Sequence, residues 1–260
     1  YRRLLLAAAV LFMDFMAVVP AQESRHFRDA VRLYDYGMYS RSRLYFDGAE
    51  EKMMSSDPQG YQVLCDVRQG VPGYERDMNS FIAANPQSSL ISHIRYAHAL
   101  NLFDSQEYMS AGRLMDEIRV KHLPKSQRTE FVFKKAYCEL ENGDIDRALL
   151  RFIELEKRPV SDYTAPAKYS IAYIYYEKKV FFDALGWFEK AALDRRFTEN
   201  ANYFIMECRF MLKDYEYVTR HGEKMYEGVP EDRKPHLARI ISESWLVLGN
   251  ASEARRYYDL

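Results

Sequence analysis

Apolar residues recur along the chain with the period of a helix, in short bursts that come two by two. The clearest two span Lys168–Leu193. Ile171, Ala172 and Tyr175 fall on one helical stripe, the polar break Glu177-Lys178-Lys179 follows, and Phe181, Ala184, Phe188 and Ala191 form a second stripe. Apolar positions three to four apart mark amphipathic helices, and two short helices joined by a tight turn make an antiparallel pair. The order repeats upstream in Phe131–Leu155, where Ala136, Ile145, Ala148 and Phe152 stand for Ala172, Phe181, Ala184 and Phe188.

Sliding this template along the chain yields seven units. Their second helices open at Tyr39, Tyr74, Tyr108, Ile145, Phe181, Tyr215 and Ala251, with spacings of 34–37 residues. Where two helices cross closely, bulk would force them apart, so a small residue is expected there in the first helix. The column reads Ala30, Cys65, Ala99, Ala136, Ala172, Met206 and Ser242. The matching column of the second helix reads Ser42, Asp77, Ala111, Ala148, Ala184, Val218 and Ala254. Pro58, Pro86, Pro124, Pro159 and Pro230 follow second helices, where a residue without N–H ends a unit, while Pro166 and Pro235 sit near the start of first helices. The pattern predicts an all-α chain, an α-solenoid over residues 22–260. Its approximate units are 23–57, 58–91, 92–128, 129–164, 165–198, 199–234 and an incomplete 235–260.

The turn Gly143, the small Ala136 and Ala148, the aromatic Phe152 and the trailing proline, recurring along the units as above, resemble the tetratricopeptide repeat (TPR) family. The resemblance covers Ser24 to Leu260 and implies a right-handed solenoid of helix–turn–helix repeats. HLARIISESWLVLGN and Asp162–Ala172, taken with the amino terminus, look like long exported repeat proteins of the Bacteroidales kind. Two units depart from the pattern. The second has Pro72-Gly73 in its turn and Asp77 for the small residue; the sixth has Val218 and Gly222 where Ala and an aromatic are usual, so both are expected to be loosely packed or irregular.

Composition narrows the function. The 37 Lys and Arg against 38 Asp and Glu leave no positive excess to hold nucleic acid. Arg2 and Arg3, the apolar stretch Leu4–Met13 and the small-residue site Val19-Pro20-Ala21 read as a secretory signal peptide over residues 1–21. A mature chain from Gln22, without an integral membrane segment, is expected in the periplasm or cell envelope of a bacterium. The start at Tyr1 without Met and the end at Leu260 inside a helical pattern read as an N-terminal fragment of a longer chain. Cys65, Cys138 and Cys208 are odd in number and widely spaced, each within an apolar helical pattern, so they are expected to be buried and unpaired.

The TPR resemblance implies that first helices line the ligand face. One turn before, beside and one turn after the small residue stand Tyr96, Phe103, Phe133, Tyr137, Tyr169, Tyr173, Tyr176 and Tyr203, edged by the carboxylates Glu141, Glu177 and Glu207. Rings with polar edges suit an extended peptide, and an acidic edge favours basic or neutral segments. Family members that clamp a carboxylate place Lys and Asn in these columns, which here hold aromatics and acids. GxSxG, HExxH, GxGxxG and phosphate-binding loops are absent from the sequence, and His93 and His98, five apart, do not share a helical face. The expectation is a non-enzymatic scaffold for a protein or peptide partner, without cofactor or metal. The alternatives are a structural or self-associating envelope module, and the docking arm of an enzyme whose catalytic domain follows residue 260.

Overall fold

A computed structural model describes residues 25–50 and 57–258. The expected signal peptide, residues 1–21, lies outside them. All regular structure among the described residues is helical. The chain divides into two compact halves, one up to Arg128 and one from Thr129 onward.

The first half contains α1 (25–35), α2 (Tyr39–Glu50), α3 (Asp57–Gln69), α4 (Tyr74–Ala84), α5 (Leu90–Asp104) and α6 (Tyr108–Asp116), with a single 3-10 turn at Val120–His122. Here α3 packs on α2, α4 and α5, and α5 on α6. The second half contains most of α7 (Lys125–Glu141), then α8 (Ile145–Glu156), α9 (Thr164–Glu177), α10 (Phe181–Ala191), α11 (Thr198–Met211), α12 (Tyr215–Gly228), α13 (Lys234–Val247) and α14 (Ala251–Tyr258). In it α9 packs on α8 and α10, α10 on α11, and α12 on α11 and α13. Each half is thus a stack of helix pairs in which every helix buries its stripe against its own partner and the next pair, the architecture of an α-helical repeat solenoid.

One backbone device makes all seven pairs. Each first helix ends at a residue with positive φ: Gly37, Gly70, Gln106, Gly143, Lys179, Lys213 and Gly249. The N–H after that residue bonds back to a carbonyl five positions earlier, as from Asp144 to Glu139 (2.8 Å), Val180 to Tyr175 (2.9 Å) and Asn250 to Trp245 (2.9 Å). The positive-φ N–H bonds three positions back, as from Gly143 to Leu140 (3.0 Å). This double closure satisfies carbonyls that a helix end would leave bare. The residue that closes the first helix then opens the second: the carbonyls of Asp144, Val180 and Asn250 accept from Ala148, Ala184 and Ala254.

Small residues let the paired backbones approach. Ala30, Cys65, Ala99, Ala136 and Ala172 are fully buried, and so in the second helices are Ser42, Ala111, Ala148 and Ala184. In the first and last pairs a serine serves instead, and its hydroxyl donates across the crossing: Ser42 to the Ala30 carbonyl and Ser242 to the Ala254 carbonyl, both at 2.8 Å. Phe46, Phe81, Phe152 and Phe188 fill the space between pairs and are almost wholly buried. Pro58 follows α2, as expected, but sits inside the first turn of α3, a position where a helix tolerates proline.

The two departing units are ordered in their own ways. In the second, Pro72-Gly73 adds two residues to the turn, Gly73 also has positive φ, and α4 starts four residues after Gly70 instead of two. Asp77 is consequently exposed, and Tyr74, Met78 and Phe81 form the buried stripe. In the sixth, Gly222 is buried, and a Cβ there would lie 2.6 Å from Ile241 Cγ1. Ile241 of α13 occupies the space that an aromatic takes in the fourth and fifth pairs. Looseness was expected at this unit; the contact is instead close, because the neighbour supplies the missing volume. Cys65, Cys138 and Cys208 are buried and free, and burial pushes their thiols up to about 11, 11 and 12.

Gly143→Ala is expected to lower stability by about 1 kcal/mol, and Lys179→Gly or Lys213→Gly to raise it by up to about 1 kcal/mol, because only glycine adopts positive φ without steric cost. Gly222→Ala should lower it by about 1–3 kcal/mol through overpacking against Ile241. Urea midpoints at constant slope measure all four.

Candidate functional site

The expected ring ladder is divided between the halves. Tyr96 and Phe103 belong to the first. Tyr96 is fully buried within α5, so it presents no ring to a ligand; α5 packs against α3 and α6, and its stripe is absorbed in the core. Phe103 is half-buried and meets Tyr108 edge-on at 5.3 Å.

The remaining residues lie in the second half. In the fourth pair, Phe133 is half-buried against Phe152 (5.7 Å) and Tyr163 (5.2 Å), with Tyr137 6.4 Å away. In the fifth, Tyr169, Tyr173 and Tyr176 follow at helical spacing along α9. They meet Phe204, which α11 projects between them: ring centroids lie 6.3, 5.8 and 5.1 Å from it, all edge-on. Phe204 also stacks on Phe188 of α10 at 5.0 Å, with the rings 6° from parallel. Edge-on and offset rings are the arrangements that aromatic quadrupoles favour. Phe204 was not among the expected site residues. It sits one position after Tyr203, outside the three columns, and the signal that could have found it is the adjacent pair of rings in a stripe wide enough to include both.

A buried carboxylate ties this cluster to the seventh pair. Glu207 is 6% exposed. Tyr176 donates to its Oε2, and His236 Nδ1 lies 3.0 Å from its Oε1. Tyr203 Oη is 2.9 Å from the same His236 nitrogen. Arg239 Nη2 is 3.1 Å from His236 Nε2. A guanidinium only donates, so Nε2 accepts and Nδ1 carries the proton that faces Glu207. Burial first, and the Glu207 carboxylate second, hold the phenols of Tyr176 and Tyr203 far above the ordinary tyrosine value. A buried carboxylate is tolerated when its lone pairs are filled in this way. Glu207 and Tyr203, expected at a ligand edge, are part of the framework under it.

What stays open to solvent is smaller. Tyr173 is 38% exposed and stacks on Tyr176 at 6.5 Å. Glu141 and Glu177 are exposed and form no ion pair among the described residues. Burial first, then the neighbouring Glu177 carboxylate and Glu141 through space, raise the Tyr173 phenol above its ordinary value. The accessible feature is one tyrosine face with two uncompensated carboxylates, resting on an ordered ring cluster. Among the described residues no group of three or more His, Cys, Asp or Glu is placed to hold a metal ion, and no helix is long and apolar enough to cross a membrane.

No protein-family model matches the chain, and no curated protein matches it. Among solved structures, the apo form of RapI is similar over 90% of this chain and 72% of its own, at 12% identity and a TM-score of 0.51. A tetratricopeptide repeat protein from Parabacteroides merdae is 12% identical over 91% of each chain, with a TM-score of 0.48. The pilF protein of Pseudomonas aeruginosa is 9% identical over 92% of this chain and 90% of its own, with a TM-score of 0.47. At these identities the likeness is one of fold. Together with seven helix pairs that share one positive-φ turn, the likeness to RapI supports an all-α helical repeat solenoid.

The ring cluster and the open tyrosine are separable by mutation. Phe204→Ala is expected to cost about 3–5 kcal/mol, whereas Tyr173→Ala should cost less than about 1 kcal/mol, read as chemical-denaturation midpoints. Stability should also fall in alkali. Tyr34 and Tyr163 are raised to about 12 in the folded chain from 10.0, and Tyr176 and Tyr203 rise further. Stability is therefore flat below pH 10.0 as far as these groups are concerned, and it declines as pH rises through 10 toward 12, because the unfolded phenols lose protons first. Urea unfolding on either side of pH 10 measures the loss.

Proposed function

We propose that the chain is a non-catalytic scaffold that binds an extended segment of a protein partner on the first-helix face of its second half. The observation that carries this reading is Tyr173, exposed beside Glu141 and Glu177 and held from below by Tyr176 and Phe204. An ordered ring loses little entropy on contact. Two carboxylates without basic partners favour a segment that brings Lys or Arg. Tyr169, Tyr176, Phe133 and Tyr137, all half-buried, would widen the contact on either side.

Selection from a random peptide library tests this. Enriched peptides are expected to carry a basic residue next to an apolar one. Tyr173→Ala should weaken their binding by roughly tenfold or more, and the double variant Glu141→Gln, Glu177→Gln should remove the preference for Lys and Arg. Enrichment of acidic peptides, or binding indifferent to Tyr173→Ala, would overturn the reading.

We further propose that this scaffold works outside the cytoplasm of a bacterium. The support is the succession of Arg2-Arg3, the apolar stretch from Leu4 and the small residues up to Ala21. Amino-terminal sequencing of the protein from an envelope fraction is expected to begin at Gln22; a chain retaining those residues in the cytoplasmic fraction would count against it.

A further inference from the structure

The sixth helix pair contains a cleft of about 490 Å³ between α11, α12 and the turn that leads into α13. That volume lies within the range of small-molecule sites. Its apolar lining includes Met206, the one bulky residue in the small crossing column, with Tyr217, Met225, Val229 and Pro230. Two methionines beside an aromatic ring adapt to ligands of different outline.

Groups of both charges line the same cleft. Lys224 is exposed and forms no ion pair among the described residues, and the same holds for Glu199 and Asp232. Arg233 is already set: its Nη1 donates to Asn200 Oδ1 at 3.0 Å, and its guanidinium lies 4.6 Å from the Tyr203 ring centroid. Because the Asn200 oxygen is taken by Arg233, the amide nitrogen of Asn200 is left to donate elsewhere. His221, stacked on Tyr217 at 4.2 Å, directs Nδ1 to the Tyr217 carbonyl at 2.9 Å and keeps Nε2 for the cleft. An anion alone would meet the field of Glu199 and Asp232, and a cation alone that of Lys224 and Arg233, so a ligand carrying both charges fits the lining best.

We propose that this cleft binds a small zwitterion with an apolar body, either a free apolar amino acid or a short apolar peptide. Its carboxylate meets Lys224 and the Asn200 amide, its ammonium meets Glu199 and Asp232, and its side chain rests on Met225 and Tyr217. The site is independent of the Tyr173 face, and its failure would leave that reading untouched.

Calorimetric titration of the full chain with L-phenylalanine and with phenylalanyl-phenylalanine tests it. N-acetylphenylalanine, which lacks the cation, and phenylalanine methyl ester, which lacks the anion, serve as comparisons. At least one zwitterion is expected to saturate the protein at roughly millimolar concentration, and each singly charged analogue to bind about fivefold or more weakly. Whichever zwitterion binds more tightly identifies the source. Lys224→Gln, at an exposed position, should equalise the zwitterion and the ester. Gly228→Phe should abolish binding, since a Cβ at Gly228 meets nothing within 4 Å and the ring would enter the cleft. An unchanged far-ultraviolet circular dichroism spectrum of that variant keeps loss of fold apart from loss of site. Saturation by neither zwitterion, equal binding of the singly charged analogues, or binding that survives Gly228→Phe overturns the proposal.

Discussion

The structure depends on a left-handed residue at the end of each first helix. It reverses the chain in two residues, and that short reversal holds the two helices of a pair at the distance where Ala136 meets Ala148 and Ala172 meets Ala184. The close crossing in turn decides what a repeat can contain. With backbones so near in the fourth and fifth pairs, bulk is placed on the outer stripe, where Phe152 and Phe188 face the next pair. Turn, crossing and inter-pair aromatics are one constraint seen at three distances along the helix. The second pair shows the dependence from the other side: two extra turn residues rotate α4, and the buried position moves from Asp77 to Met78.

The same constraint explains how an aromatic surface is held without a rigid domain behind it. Nearest-neighbour stacking is the only long-range order such an array has. In the fifth to seventh pairs the side chains add to it. Phe204 gathers three tyrosines of the preceding first helix, and Glu207 is filled by Tyr176 from one side and His236 from the other. A buried, fully bonded carboxylate between three pairs specifies their register, because a shift of one residue would leave a charge buried without partners.

Much of the fold was legible in the sequence. The seven openers from Tyr39 to Ala251 are each the first residue of a second helix, since periodicity and small residues report on contacts inside one pair, which are local. The burial of the three cysteines follows from the same pattern. The site was legible only in part. Tyr96, Tyr173 and Tyr203 occupy comparable faces of α5, α9 and α11, yet they are buried, open and nearly buried. What separates them is the neighbouring pair: a ring is covered or not according to the side chains that an adjacent helix brings, and one helix's periodicity carries no information about that. Phe204 escaped for the same reason, as its importance lies in the three rings it meets and not in its own column. Ile241 beside Gly222 is likewise a relation between pairs, invisible in either one.

That relation bears on how the array comes apart. In a stack of self-sufficient repeats, each pair unfolds at its own free energy and the end pair peels first. Where Ile241 supplies the core of the pair before it, the sixth pair has no complete interior of its own, and removing α13 would expose a hole at Gly222 as well as a surface. The sixth and seventh pairs are therefore expected to unfold together, with Ile241 as the link between them.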